Sequence, residues 1–376
     1  KILVTGGLGY IGSHIVHDLI KNQFSVYIID NLYNSDKSTH SSLEKLLNTK
    51  IPFQKIDIRN KSELEKLYKE ELFDGVIHLA ALKSIPESLK SPLTHYDVNV
   101  IGSINIIDLS QKYKVKYFIF SSSACVYGNK HSLVDETMTG LNPNNSYGKS
   151  KLTVEGLLEE VSKSINHNRK INERSRPENV EMNQNQNQQG IFKAISLRYF
   201  NPVGCHESGL IGDCSYQDQN LFKIIERVST GDLQDITIFG KDYNTRDKTP
   251  IRDFIHVCDI SEGHVMALNY LIKSTEMDMS KSNMENQGVA STYEVFNMGT
   301  EKGYTVLEVI NSYMKANNIK IPFKFGERRE GDLEELVSDS TKILNTIGWK
   351  AKRSIDEMCI SSYNWATKLS SNKNMT

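Results

Sequence analysis

No apolar run in this chain of 376 residues approaches the roughly 20 residues that a membrane-spanning helix requires. Its longest apolar stretches, such as Phe24–Ile29 and Phe118–Phe120, have the length of strands. An excess of charge is also missing: 45 lysines and arginines stand against 46 aspartates and glutamates, a net charge of −1. No global field therefore favours nucleic acid or an anionic membrane, and any phosphate site has to be local. The five cysteines (Cys125, Cys205, Cys214, Cys258 and Cys359) include no Cys-x-x-Cys pair. An odd, dispersed set suits a reducing compartment and argues against a disulfide framework or a zinc site. The ten histidines offer no His-Glu-x-x-His or His-x-His spacing, so no metal is expected. No signal peptide is visible where the chain opens, at Lys1 and directly in a strand, and the expected setting is cytoplasmic.

What is present is alternation. Ile2–Thr5, Ser25–Ile29, Pro52–Lys55, Gly75–Leu79 and Tyr117–Ser121 read as strands, and Gly12–Lys21, Glu63–Glu70, Thr94–Lys112 and Tyr147–Ser164 as helices. Such an order predicts an α/β protein, a parallel sheet with helices on both faces. Ala194–Arg198 and Glu294–Asn297 look like later strands of that sheet, so the first domain, residues 1–198, takes returning elements from about residues 250–300. Residues 199–376 are left for a smaller, second α/β domain. Two polar segments, 165–190 with its run Asn183-Gln-Asn-Gln-Asn-Gln-Gln189 and 274–290, cannot bury enough apolar surface to pack and read as mobile surface insertions.

Chemistry enters at two places. Gly6-x-x-Gly9-x-x-Gly12 follows a strand and opens a helix, where glycines permit a tight turn and close approach of a pyrophosphate to the helix N-terminus. Asp30 ends the second strand, about twenty residues on, where a carboxylate accepts hydrogen bonds from a ribose 2′-hydroxyl and repels a 2′-phosphate. That favours NAD over NADP; a loop cap is the plainer use of the same aspartate. Asp57-Ile58 closes the third strand, suitably placed for an adenine edge. Farther on, Tyr147 and Lys151 stand four apart on a helix and share one face. A phenol holds its proton until pH about 10. A neighbouring ammonium favours the phenolate, which makes the tyrosine a usable acid/base near neutrality. Behind a nucleotide-binding loop, the pair points to hydride chemistry.

Thr5–Ser13, Asp30-Asn31, Asp57, Leu79-Ala-Ala-Leu-Lys83, Asn99, Ser121-Ser-Ser-Ala-Cys-Val-Tyr-Gly128 and Tyr147–Lys151 together resemble the extended short-chain dehydrogenase/reductase family. Leu197-Arg-Tyr-Phe-Asn-Pro202, Arg252-Asp-Phe-Ile-His-Val257 and Arg328-Arg-Glu-Gly-Asp332 narrow the resemblance to its UDP-glucose (UDP-galactose) 4-epimerases. The likeness runs from Lys1 to about Trp349, outside the two polar segments. It implies a Rossmann-type doubly wound sheet, bound NAD, a UDP-hexose substrate and a homodimer through the helices Thr94–Lys112 and Tyr147–Ser164.

Carried over residue by residue, Tyr147 is the acid/base, Lys151 holds the nicotinamide ribose, and Ser123 bonds the sugar 4-oxygen. Gly6, Gly9, Tyr10, Ile11, Gly12, Asp30, Asn31, Asp57, Ile58, Lys83 and Asn99 fall at cofactor positions. Arg252 and Arg329 match diphosphate-binding arginines, whose guanidinium fork suits phosphate oxygens. Asp332 meets the uridine ribose, and Tyr199, Phe200, Asn201, Asn220 and Leu221 line the sugar-nucleotide site. Leu336 occupies a position whose bulk gates N-acetylated sugars, which leaves UDP-GlcNAc and UDP-GalNAc as further substrates. Without the resemblance, the serine run is a capped strand end, and Arg252-Asp253 and Arg329…Asp332 are surface ion pairs. Cys125 departs from the family's usual threonine. A 4,6-dehydratase needs an acid just after Ser123, where Ala124 and Cys125 stand. A retired NAD-sensing scaffold should have lost Tyr147, Lys151 or Ser123, and all three are present.

Overall fold

Five strands of the first two hundred residues are apolar on both faces. In the computed structural model, which describes residues 1–129, 132–174, 191–215, 220–281, 292–329 and 332–373, they lie at the centre of the molecule. In chain order the strands are β1 (Ile2–Thr5), β2 (Val26–Asp30), β3 (Phe53–Lys55), β4 (Gly75–His78), β5 (Tyr117–Ser123), β6 (Ser132–Val134), β7 (Lys193–Tyr199), β8 (Asn201–Val203), β9 (Ile236–Phe239), β10 (Ile251–His256), β11 (Tyr293–Met298), β12 (Gly303–Thr305), β13 (Phe323–Gly326) and β14 (Glu335–Ser338). The helices are α1 (Tyr10–Lys21), α2 (Lys37–Leu47), α3 (Lys61–Glu70), α4 (Ile85–Lys90), α5 (Pro92–Tyr96), α6 (Gly102–Lys112), α7 (Ser146–Arg174), α8 (Leu221–Ser229), α9 (Val257–Lys281), α10 (Val306–Asn317), α11 (Thr341–Ile347) and α12 (Ile355–Lys373).

Seven strands form one sheet in the order β11-β7-β5-β4-β1-β2-β3, every neighbouring pair parallel. Successive side chains leave a strand on opposite faces, and both faces are covered, as an all-parallel sheet requires. Val4, Ile28, Ile77 and Ile119 pack with Ile15 and Leu19 of α1 and Leu268 and Leu271 of α9. Their neighbours Leu3, Ile29, Val76 and Phe118 pack on the other side with Leu64 of α3, Ile106 of α6 and Leu158 of α7. The chain leaves β1 for β2 on one side and returns to β4 on the other. A doubly wound sheet binds its ligand in the crevice beyond such a reversal.

A second sheet runs β12-β10-β14-β6, with β8 also on β10, and β13 pairs with β9. Its core gathers Phe222 of α8, Phe254 of β10, Tyr313 of α10 and Met358 of α12. Asp253, fully buried in β10, accepts hydrogen bonds from the backbone and side chains of Thr300 and Ser338, tying the strand to its surroundings. Among the described residues, no helix is long and apolar enough to cross a membrane.

Three expectations change. The helix read over Thr94–Lys112 is broken by a π-turn at Asp97–Ile101 between α5 and α6. There Asn99 turns its amide away from the helix toward Leu82, and its carbonyl accepts from Ser103 Oγ at 2.6 Å. The polar segments begin as helix rather than loop: α7 continues to Arg174 and α9 to Lys281. Thr275 is buried, and Asp278 pairs with the buried Lys193 of β7 at 2.6 Å, so this part of the second segment is docked on the sheet. The remainders, 175–190 with the Asn/Gln run and 282–290, lie outside the described residues. Helix α2 was not foreseen; Asp36 caps it, accepting from Ser38 N.

Candidate active site

The glycines meet the demands of the crevice. Gly6 has φ +67°, and a Cβ there would stand 2.8 Å from the backbone nitrogen of Ala80, just past β4. A Cβ on Gly12 would approach the Gly6 carbonyl oxygen to 2.2 Å. Gly9 begins α1 with no side-chain cap, so the first-turn N–H groups face out of the helix end. This backbone cradle, which side chains would fill, fits a dinucleotide pyrophosphate.

Side chains read as cofactor contacts also hold the cradle in shape. Asp30 accepts from Leu8 N (3.1 Å), Leu32 N (2.9 Å) and Ser35 Oγ (2.8 Å). A carboxylate has about four acceptor positions, so capacity for a ribose hydroxyl remains. Asn31 Nδ2 donates to Asp57 at 3.0 Å, and Arg59 donates to the same carboxylate. That guanidinium holds the Asp57 carboxyl well below the usual range. Ile58 is buried against Gly102. Tyr10 donates its hydroxyl to the Gly204 carbonyl at 2.6 Å while its own carbonyl is met by Ser13 Oγ and His14 Nδ1, and Ile11 packs on the core. Asn99 accepts from Leu82 N and donates to Leu82 O and Ser150 Oγ. It fixes the loop after β4 and has its bonds filled by protein. Lys83 reaches Asp213 at 3.9 Å.

Tyr147 and Lys151 lie on the first turns of α7, against the end of β5. Lys151 Nζ donates to Ser121 O at 2.7 Å and sits 5.8 Å from the Tyr147 ring centroid. Burial pulls the lysine down from its usual value to about 7, against an upward pull from Glu155. Its ammonium is therefore poised near neutrality beside the phenol. Ser123, at the β5 terminus, accepts from Cys125 N at 3.2 Å, the bond that starts the turn Ala124–Tyr127. Burial pushes the Cys125 thiol up, which keeps it protonated.

On the far side of the crevice, Arg252 of β10 lies in register with Leu336 of β14, and Leu336 packs on the cluster of Ala124, Val126, Tyr127, Val134 and Phe200. Arg252 is lowered by burial and by the nearby Arg329, while Asp332 acts the other way. Two guanidiniums that disfavour each other's charge suit an anion between them. In this structure Arg329 pairs with Asp332 at 2.9 Å and lies over the Phe239 ring. Asn201 donates to Asp253 O and Asn220 caps α8, so both have structural work; Leu221 follows at the head of α8. Tyr199 bonds His264 at 2.5 Å.

Residues 2–277 match the family model described as the NAD dependent epimerase/dehydratase family. The chain belongs to this family. Among its relatives, UDP-glucose 4-epimerase 2 of Oryza sativa subsp. japonica is 39% identical over an alignment covering 98% of this chain and 82% of that protein. A solved UDP-glucose 4-epimerase of Stenotrophomonas maltophila, with bound NAD and formylated UDP-arabinopyranose, superposes with a TM-score of 0.85 at 35% identity, over 99% of both chains. The UDP-Glc/GlcNAc 4-epimerase of Campylobacter jejuni does so at 0.77 and 32% identity, over 98% of this chain and 99% of that one.

For this member of the family, the sequence reading missed the residues beneath Lys151. Glu155, one turn on along the same face of α7, forms a two-pronged pair with Arg198 of β7 at 3.0 and 2.7 Å. Both side chains are about 5% exposed. Arg198 was in plain view as a charge inside an apolar strand, which calls for a buried partner.

Replacing Asn99 with alanine leaves the Leu82 N–H and C=O without their partner. We expect a loss of about 1–3 kcal/mol, read as a lower urea midpoint, together with less cofactor retained on purification.

Proposed function

We propose that this protein interconverts UDP-galactose and UDP-glucose by inverting carbon 4 of the hexose, with NAD held in the crevice of the parallel sheet. The observation that carries this reading is Lys151, buried between Tyr147 and the end of β5, two residues from Ser123 through its bond to Ser121 O. The named relatives, and the NAD and UDP-sugar in the Stenotrophomonas structure, support it.

The cradle of Gly6, Gly9 and Gly12 would hold NAD, which when bound would supply a reversible hydride acceptor for the sugar carbon. The residues of this chain do the rest. Lys151 keeps its ammonium beside the phenol and favours Tyr147 as phenolate. Tyr147 takes the proton of the 4-hydroxyl as that carbon is oxidised, and gives it back as the 4-keto sugar is reduced on its other face. Ser123 holds the 4-oxygen. Arg252 and Arg329 grip the diphosphate, so the keto sugar turns over without leaving; Asp332 exchanges its bond with Arg329 for one to the uridine ribose. Asn201, Asn220, Leu221, Tyr199 and Phe200 line the site. Ala124 and Cys125 place no acidic residue after Ser123, which disfavours dehydration.

Changing Tyr147 to phenylalanine should lower turnover by roughly 10²–10⁴ in a folded protein. Near-normal turnover would contradict the assignment.

N-acetylated substrates follow from Leu336, smaller than tyrosine and set beside Arg252. We expect turnover of UDP-GlcNAc that disappears on Leu336→Tyr; an enzyme that never turns over UDP-GlcNAc would overturn this extension.

We also propose a cytoplasmic homodimer joined through α5, α6 and α7. Leu93 is 83% exposed, and Ile101 and Ile104 extend the apolar surface along the same segment. Light scattering should give twice the chain mass, reduced to one by Ile101→Glu; a monomeric wild type would refute the dimer.

A further inference from the structure

Tyr147, Lys151 and Glu155 follow one another at four-residue intervals on α7, so they form a stripe on one face of the helix. A glutamate one turn from a lysine ordinarily takes its ammonium directly. Here it does not. Glu155 Oε1 accepts from Ser122 Oγ at 2.5 Å and from Arg198 Nε at 3.0 Å, and Oε2 accepts from Arg198 Nη2 at 2.7 Å. With the carboxylate held this way, Lys151 donates instead to Ser121 O, next to Tyr147. Arg198 is held in turn: it donates to Tyr127 Oη at 3.0 Å, and Tyr127 donates to Asn297 Oδ1 at 2.7 Å. Asn297 Nδ2 donates to the carbonyls of Val134 and Asp339, beside the second sheet.

We infer that Glu155 is a positioning residue whose charge keeps Lys151 an ammonium beside Tyr147, while Arg198 and Ser122 occupy the carboxylate so that the lysine is not drawn off. This rests on the reading of Tyr147 and Lys151 as the acid/base pair. The titratable or charged groups facing the stripe are His78 of β4, Arg198 and Tyr199 of β7, Tyr127 of the turn after β5, and Tyr293 of β11. His78 is buried neutral, lowered to about 3, so it brings no charge. Burial raises Tyr199 and Tyr127, the latter to about 12, and raises Tyr293 well above the ordinary tyrosine value; all three stay protonated. Glu155 is thus the one anion facing Lys151 among these groups. Burial lowers the lysine and Glu155 opposes that fall, so losing the glutamate charge moves the lysine's deprotonation to lower pH.

The test compares the pH dependence of UDP-galactose turnover in the wild type, Glu155→Gln and Glu155→Asp. In Glu155→Gln the alkaline limb should move acidward by about one pH unit, a rate loss of about tenfold above it. Glu155→Asp keeps the charge and shortens the reach; its limb should stay in place while its urea midpoint falls. If Glu155→Gln does not fold because Arg198 is left unpaired, the neutral pair Glu155→Gln with Arg198→Gln should show an acidward shift that is smaller, because the Arg198 cation that partly offsets Glu155 is lost with it. A titration of the Lys151 ¹³Cε signal, assigned with Lys151→Met, reads the effect without turnover. An unmoved lysine midpoint or limb in the folded Gln variants overturns the inference. A wild type inactive on every UDP-sugar, with the lysine midpoint still shifted, overturns the proposed activity and leaves the inference standing.

Discussion

A buried carboxylate–guanidinium pair, Glu155 with Arg198, joins the helix that carries the acid/base residues to the central sheet. Removing both charges from water is costly, and such a pair seldom adds net stability over an apolar core of equal volume. Its worth lies in geometry. Two parallel hydrogen bonds fix the rotation of α7 about its axis, and that rotation aims Tyr147 and Lys151 at the end of β5. Through Tyr127 and Asn297 the same chain of bonds reaches Val134 of β6 and Asp339 just after β14, and so ties the central sheet to the second sheet.

The same economy governs the rest of the crevice. Asp30 and Asn99, read as ligand contacts, spend most of their hydrogen bonds on the loops that form the cradle. Tyr10 pins the cradle helix to Gly204. A site whose backbone donors are already in place costs a ligand little ordering on binding, which suits a cofactor that has to stay through many turnovers. The diphosphate end differs. Arg329 and Asp332 pair with each other, so under the proposed reading a diphosphate would have to displace that bond, whereas the cofactor side is preset.

How much of this was legible follows from how local each signal is. The glycine turn and the Tyr147/Lys151 spacing sit within a dozen residues, and turn geometry and helical period carry them. The seven-stranded sheet was legible through its runs of paired apolar residues. The second sheet was not: β6, β8 and β12 have three residues each, too few for a period to appear, and β6 finds its partner β14 some two hundred residues away. Glu155 and Arg198 are separated by 43 residues, so neither announces the other. The break at Asn99 comes from its bonds to Leu82, a tertiary effect that helix propensity does not carry. Polarity after residue 165 argued against packing, but it does not by itself end a helix, and α7 runs on to Arg174.

The most direct test of the account is to give the purified protein UDP-galactose with no added cofactor and follow the anomeric proton signals by NMR. The account predicts that UDP-glucose appears, since the acid/base pair, the diphosphate arginines and a retained NAD act together. UDP-galactose that survives unchanged even after NAD is added would contradict it.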